Sequence, residues 1–307
     1  MQTSSETQLA GLPTAGSVDA WLQAMRPRTL PAAAVPVVVG SALCFVLGGL
    51  HLGAALAALF GALCIQVGTN FANDVFDAEK GADGPERKGP RRMVAAGVIT
   101  PGAMRAGIGV AFGLATLAGL YLVSVAGWPV IAIGVASLLA GLAYTGGPFP
   151  LAYNALGDLF VLIFFGGVAV GGTVFVQLGT LPPTTWPLAL GVGALSTALL
   201  VVNNLRDVDE DRGNGKNTLA VLLGRRGALL EHALLLTLAY GAAGTLIDLD
   251  LPLTFIALGT APVAARRHLR LRRVETGPEF NAELAATGKL LTLYGLSLAA
   301  ALIAPML

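Results

Sequence analysis

Long apolar runs dominate the chain, and short polar stretches separate them. Nine such runs can be drawn, at roughly 30–50, 52–73, 106–126, 128–144, 156–177, 186–205, 228–247, 251–265 and 288–306. A helix of ~20 apolar residues crosses a hydrocarbon core ~30 Å thick. The pattern therefore predicts an all-α membrane protein with about nine transmembrane helices. The eighth run is short and carries Pro252 and Pro262, so its limits are the least defined. Residues 1–25 are polar and small, with no cationic stretch leading into an apolar one. They predict a flexible tail and no cleavable signal peptide. Residues 26–307 then form a single transmembrane domain.

The distribution of charge gives the apolar runs an orientation. Only 12% of residues are charged, about half the fraction usual in a soluble domain. All 19 Lys and Arg residues fall in four places: before the first run, and between the second and third, the sixth and seventh, and the eighth and ninth. With nine spans and a cytoplasmic N-terminus, every basic cluster faces the cytoplasm, as the positive-inside rule requires. The expected location is the cell inner (cytoplasmic) membrane. A net charge of +1 gives no bulk attraction to nucleic acid, and none is expected as a partner. Cys44 and Cys64 lie inside apolar runs and read as small buried side chains. The histidines, His51, His232 and His268, are far apart along the chain, which argues against zinc or haem.

Two polar segments stand out against this background. NFANDVFDAEKGAD spans 70–83 and NNLRDVDEDRGNGKNTLAV spans 203–221. Nine of the 18 carboxylates lie in or beside them: Asp74, Asp77, Glu79, Asp83, Glu86, Asp207, Asp209, Glu210 and Asp211. Asn70, Asn73, Asp74 and Asp77 fall on one stripe of a helix, and Asn204, Asp207 and Asp211 repeat that stripe. Ionised carboxylates this close repel unless a cation intervenes. Oxygen-only ligands at a membrane edge suit Mg²⁺, which shares its shell with waters and substrate phosphates. Each segment also carries cations, Arg87, Lys88, Arg91 and Arg92 in and after the first, Arg206 and Lys216 within the second. Such groups supply donors to remaining phosphate oxygens. A central cavity open to the cytoplasmic side, with a Mg²⁺–diphosphate mouth and apolar walls, reads as a polyprenyl diphosphate site. Helix–acidic segment–helix occurring twice also predicts a weak internal duplication. The pairs Gly166-Gly167 and Gly171-Gly172 sit within a span and read as helix-packing positions, not a phosphate loop.

With these segments in view, the chain resembles the UbiA superfamily of intramembrane aromatic prenyltransferases. The paired Asp-rich motifs of that family, NDxxDxxxD and DxxxD, are similar to Asn73-Asp74-Val-Phe-Asp77 and Asp207-Val-Asp-Glu-Asp211. The branch acting on 1,4-dihydroxy-2-naphthoate is the more specific resemblance. Its marks are MRPRTLPAAAVPVVVGSAL at 25–43, GPRRMVAAGVIT at 89–100 and YTGGPFPLAYNALGDLFVLIFFG at 144–166, besides the two acidic segments. The ninth position of the first motif is Gly81 here and not Asp, and the branch places an Asp two residues on, at Asp83.

The resemblance implies transfer of a polyprenyl group from polyprenyl diphosphate to 1,4-dihydroxy-2-naphthoate, with loss of carbon dioxide and diphosphate. It implies Mg²⁺ held by Asn73, Asp74, Asp77, Asp83, Asp207 and Asp211, with Asp77 and Asp207 also in the catalytic set. Arg92, Arg206 and Lys216 would contact the diphosphate, and Arg26 and Arg28 the acceptor carboxylate. Tyr144 or Tyr153 would face the allylic cation, and Asp158 would orient the acceptor. Membrane lipid is the remaining expected partner, contacted by the Arg266 to Arg273 run. A sister transferase with another aromatic acceptor is the nearest rival reading. An ion transporter would place carboxylates at the midplane or on both faces, and a phosphatidyl-type transferase would carry a DGxxAR motif absent here.

Overall fold

The computed structural model describes residues 12–81, 88–247, 249 and 251–306. Among these the protein is helical, and its one β-type contact is an isolated bridge between Asn154 and Asn217. Ten helices carry the architecture: α1 (Val18–Met25), α2 (Leu30–Val46), α3 (Leu52–Glu79), α4 (Pro101–Ala126) and α5 (Pro129–Ala143), then α6 to α10. Helix α6 (Gly157–Leu178) contains a π-helical stretch, Leu162–Val168. It is followed by α7 (Thr185–Gly213), α8 (Leu219–Thr245), α9 (Ala261–Leu271) and α10 (Gly277–Ile303).

The sequence starts these helices with recognisable chemistry. Thr100 accepts from the Ala103 amide at 3.2 Å, and Pro101 follows at a position whose missing donor costs nothing. Thr218 caps α8 by accepting from Val221 N at 3.2 Å. Thr276 and Glu279 form a reciprocal capping box at the start of α10. Gly224 adopts φ +66° inside α8, so the helix proper restarts at the Arg225-Arg226 pair.

Each of the nine apolar runs contains helix, and among the described residues six helical stretches are long and apolar enough to cross a bilayer. Helix α5 has only 15 residues. The run at 251–265 is broken into a 3₁₀ turn, one helical turn at Phe255–Leu258 and the first part of α9. The protein is thus a multi-pass membrane protein. The reading of 1–25 as a mobile tail needs correction for its second half. Ser17 caps α1, Ala20 and Ala24 are buried, and Trp21 meets Phe71 edge-on with ring centroids 5.4 Å apart. An amphipathic eight-residue helix here covers an apolar face of α3. Residues 1–11 lie outside the described residues.

Helix α7 is the central element. It packs against α8, α10 and the π-helical stretch of α6, within an apolar core that also includes α2. Gly166 and Gly193 allow the closest of these approaches. A Cβ on Gly166 would lie 2.5 Å from the Ala189 carbonyl oxygen, and one on Gly193 would lie 2.7 Å from that of Leu162. The helix-packing reading therefore holds for Gly166. A second core joins α1, α3, α4 and the 93–99 loop. A cavity is lined by Ala32, Leu199 and Leu284 of the first core and by Leu122, Val130 and Val176 of a smaller apolar cluster.

Candidate active site

Helix α3 is apolar for most of its length and polar in its last turns, and the cavity inherits that gradient. Ala58, Gly61, Ala62 and Ile65 line one end, and Asn70, Asn73 and Asp77 the other. Leu122, Val130 and Val176 line the apolar end, and Arg26, Arg92, Tyr144, Asp158 and Lys216 are added to the polar one. Seven expected site residues thus meet at one mouth with Asn73 and Asp77 among them, although they come from 26 to 216 in the chain.

The α3 stripe divides its labour. Asn70 donates to the Met25 carbonyl at 2.9 Å and to Thr29 Oγ1 at 3.1 Å, fastening the α1–α2 connection. Arg26 in that connection has a left-handed backbone, φ +54°, a strained state that persists only where its surroundings hold it. Asn73 accepts from the Thr145 hydroxyl at 2.8 Å. Asp77 accepts from Arg92 Nη2 at 2.6 Å and from the Tyr153 hydroxyl at 2.9 Å.

Asp74 departs from the metal-ligand expectation. Its two oxygens accept from the Met93 and Val94 amides at 3.0 and 2.9 Å, and it does not line the cavity. The carboxylate anchors the loop that brings Arg92 to Asp77, because a buried acceptor next to free amides is satisfied by them first. Asp83 lies outside the described residues.

On α7, Arg206 grips Asp207 through two bonds of 2.7 Å and also donates to Asn203 at 2.8 Å and Asn281 at 2.9 Å. The guanidinium is buried, and like Asp207 it does not line the cavity; its bonds hold Asp207 in place. Asp211 pairs with Lys216 at 3.4 Å, and its Oδ2 is buried with no hydrogen-bond partner. The negative fields of Asp207 and Asp77 both reach Asp211. Arg28 is exposed and apart from the cavity, unlike Arg26, because the 3₁₀ turn Pro27–Thr29 separates the two side chains.

Tyr153 and Tyr144 occupy different places. Tyr153 is outside the lining, with the Lys80 ammonium 4.1 Å and the Lys216 ammonium 5.6 Å from its ring centroid. Its ring already serves two cations. Tyr144 lines the cavity and feels the negative fields of Asp158, Asp211 and Asp77 against the positive field of Arg26. Asp158 is buried at the start of α6, with Oδ1 unpartnered. The role of Lys80 was missed by sequence reasoning. It also donates to the Thr145 carbonyl, and partial burial pushes its ammonium below the ordinary value, with Asp77 opposing and Lys216 reinforcing the shift. Its position at the end of the first acidic segment was the available signal. The two halves are stitched by Lys88 to Asp209 at 2.9 Å and by the Asn217 amide to the Tyr153 carbonyl at 3.2 Å. The histidines also need correction, since His232 and His268 bring their Nδ1 atoms to 3.2 Å.

The donor set fits Mg²⁺. Asp77 lines the cavity, whereas Asp207 and Asp211 lie behind its lining and Asp207 gives both oxygens to Arg206; Asp211 Oδ2 is an orphan that a cation would satisfy. Among the described residues no three His, Cys, Asp or Glu side chains converge closely enough to hold a metal ion by themselves, so Mg²⁺ would need water and phosphate for the rest of its shell.

Comparison with known proteins agrees with this geometry. The model of the UbiA prenyltransferase family matches residues 33–303. The 1,4-dihydroxy-2-naphthoate octaprenyltransferase of Escherichia coli is 43% identical over 223 residues, 71% of this chain and 72% of that protein. Its counterpart in Mycobacterium tuberculosis is 36% identical over 282 residues, covering 92% and 96%. Among solved structures, a UbiA homologue from Archaeoglobus fulgidus bound to GPP and Mg²⁺ shares the fold with a TM-score of 0.59 at 14% identity, covering 92% of this chain and 99% of that one. A buried carboxylate–cation mouth over an apolar cavity, matched along nearly its whole length, makes this chain a member of the UbiA prenyltransferase family.

Proposed function

We propose that the protein transfers a polyprenyl group from polyprenyl diphosphate to 1,4-dihydroxy-2-naphthoate, releasing carbon dioxide and diphosphate and giving demethylmenaquinol, which oxidises to demethylmenaquinone. This places it in menaquinone biosynthesis. The observation that carries the reading is the cavity itself, whose charged mouth continues into apolar walls within one helical layer. The curated relatives named above carry the same activity in their names.

Asp77, Asp207 and Asp211, with Asn73 beside them, would hold Mg²⁺. Bound there, the metal neutralises diphosphate charge and so makes it a better leaving group. Arg92 and Lys216 line the mouth and are paired with Asp77 and Asp211, so they are held ready to donate to phosphate oxygens. Arg206 fixes the rotamer of Asp207, and Tyr153, with Lys80 over its ring, fixes Asp77. When the allylic C–O bond breaks, the electron pair leaves with diphosphate and the carbocation remains in the apolar chamber, where water is excluded. Tyr144 offers that cation a ring whose faces are not committed to a lysine, unlike Tyr153. Arg26 receives the acceptor carboxylate, and Asp158 orients the acceptor's hydroxyls through its unpartnered oxygen.

In the nine-span reading, the mouth opens to the cytoplasm, and residues 26–307 act as one domain. Purified protein should be incubated with Mg²⁺, a polyprenyl diphosphate and a panel of aromatic acceptors. Prenylated product from the naphthoate alone is the expected outcome. Product from 4-hydroxybenzoate or homogentisate in preference to the naphthoate would overturn the acceptor assignment.

A further inference from the structure

Helix α8 carries a carboxylate that the site above does not use. Glu231 is half-buried in a groove between α7 and α8, and no hydrogen bond or ion pair satisfies it among the described residues. The open groove has a volume of about 1050 Å³ and is lined mostly by apolar side chains with Thr237 and Thr245 among them, Leu230 and Leu234 being 61% and 60% exposed. It shares no lining residue with the catalytic cavity, from which α7 separates it. In the nine-span reading α8 crosses the membrane, its exposed leucines face hydrocarbon, and an ionisable group among them is costly unless it serves a ligand. We propose that this groove is a second binding site, for an isoprenoid quinol, with Glu231 accepting a hydrogen bond from a phenolic hydroxyl and the leucines receiving the isoprenoid chain.

Depth decides between a quinol and a phospholipid. Arg225 donates to the carbonyls of Leu271 and Val274 at 3.2 and 2.6 Å, marking the polar edge. Glu231 lies six residues further along the helix, about 9 Å at 1.5 Å per residue. An aminophospholipid would have to draw its ammonium that far into hydrocarbon, at the cost of its hydration. A dihydroxynaphthalene ring is neutral and apolar, and its hydroxyls need only one acceptor. The choice of occupant rests on the transfer reaction proposed above, whose product is such a quinol.

Trp186 lines the groove and reports its occupancy. The chain has three tryptophans, so Trp21→Phe with Trp128→Phe leaves Trp186 alone. That protein, in phosphatidylcholine nanodiscs, should be titrated with phylloquinol and, separately, with phylloquinone. Saturable quenching by the quinol is expected, with at least tenfold weaker binding of the quinone, which lacks a hydroxyl. Glu231→Leu should remove that preference. Gly241→Phe, where a Cβ meets open space, should fill the groove and abolish saturation. Equal quenching by both ligands, unchanged in Glu231→Leu, would mean simple partitioning and overturn the proposal. Displacement of the quinol by phosphatidylethanolamine would assign the groove to phospholipid and equally overturn it, as would shielding of Trp186 by a second copy of the chain. Both variants should keep the wild-type initial rate, since neither residue lines the cavity. Intact quinol binding in a protein that fails to prenylate the naphthoate would sink the reaction and leave the groove standing.

Discussion

Asp77 binds Arg92 with one oxygen and Tyr153 with the other, so it is held in place before any substrate arrives. Removing it takes a 2.6 Å ion-pair partner from the buried Arg92 guanidinium, and removing Asp211 takes a 3.4 Å one from Lys216. Asp77→Ala and Asp211→Ala are each expected to lower turnover by at least about a hundredfold, the cost of a metal ligand plus a charge-assisted contact. Excess EDTA should have the same effect on the intact enzyme, and near-normal rates in any of the three assays would mean the carboxylates do not hold the metal. Lys216→Ala should raise KM for the prenyl diphosphate or lower kcat by roughly tenfold to a hundredfold while the acceptor's KM stays put. Separate titration of the two substrates checks this. Lys80 has a lowered ammonium pKa from partial burial, so on the alkaline side it loses its proton before an ordinary lysine would. Activity should decline there as its contacts with Tyr153 and Thr145 weaken. Lys80→Arg, which stays charged, should carry the decline to higher pH, measured as a shift in the alkaline limb of the pH–rate profile. Residue types and spacing were enough to pick Asp77, Arg92, Lys216 and Asp158, which the fold brings to one cavity. They were not enough to separate Asp74 from Asp77, since a helical stripe tells which side chains share a face and not which oxygen meets a backbone amide.

At the scale of the helix, the glycine pairs in α6 show how a packing motif acquires its energy. Gly166→Val would drive a branched side chain into the Ala189 carbonyl, whereas a Cβ at Gly167 meets nothing within 4 Å. Overpacking of this kind costs about 1–3 kcal/mol. Gly166→Val should therefore lower Tm in detergent, and Gly167→Ala should leave it unchanged. Equal Tm values for the two would show that α6 and α7 do not pack as described. Asp74→Ala strands the Met93 and Val94 amides and frees the loop that carries Arg92, so both Tm and turnover should fall. The apolar periodicity located the helices, because burial in lipid needs only a long apolar run. It did not reveal that α1 folds against α3, because that helix is short and its apolar face becomes visible only with its partner present.

For the molecule as a whole, the confinement of Lys and Arg to alternate connections makes topology an experimental question with two sides. In a Cys44→Ala, Cys64→Ala background, a cysteine at Asn214 should be labelled from the cytoplasm and one at Leu249 from the opposite face. Cytoplasmic labelling at Leu249 would overturn the nine-span arrangement. The sequence alone determined that this is a helical membrane protein with a pair of acidic segments and a prenyltransferase's motifs, because hydropathy, charge asymmetry and motif spacing are local properties of the chain. Only tertiary structure decided which polar groups became ligands, anchors or orienting partners. Arg206 turned inward onto Asp207, Asp74 onto the 93–94 amides and Tyr153 onto Asp77, while Tyr144 and Arg26 reached the cavity. The reason is that a buried polar side chain takes the nearest satisfying partner, and that partner comes from a segment far away in the chain.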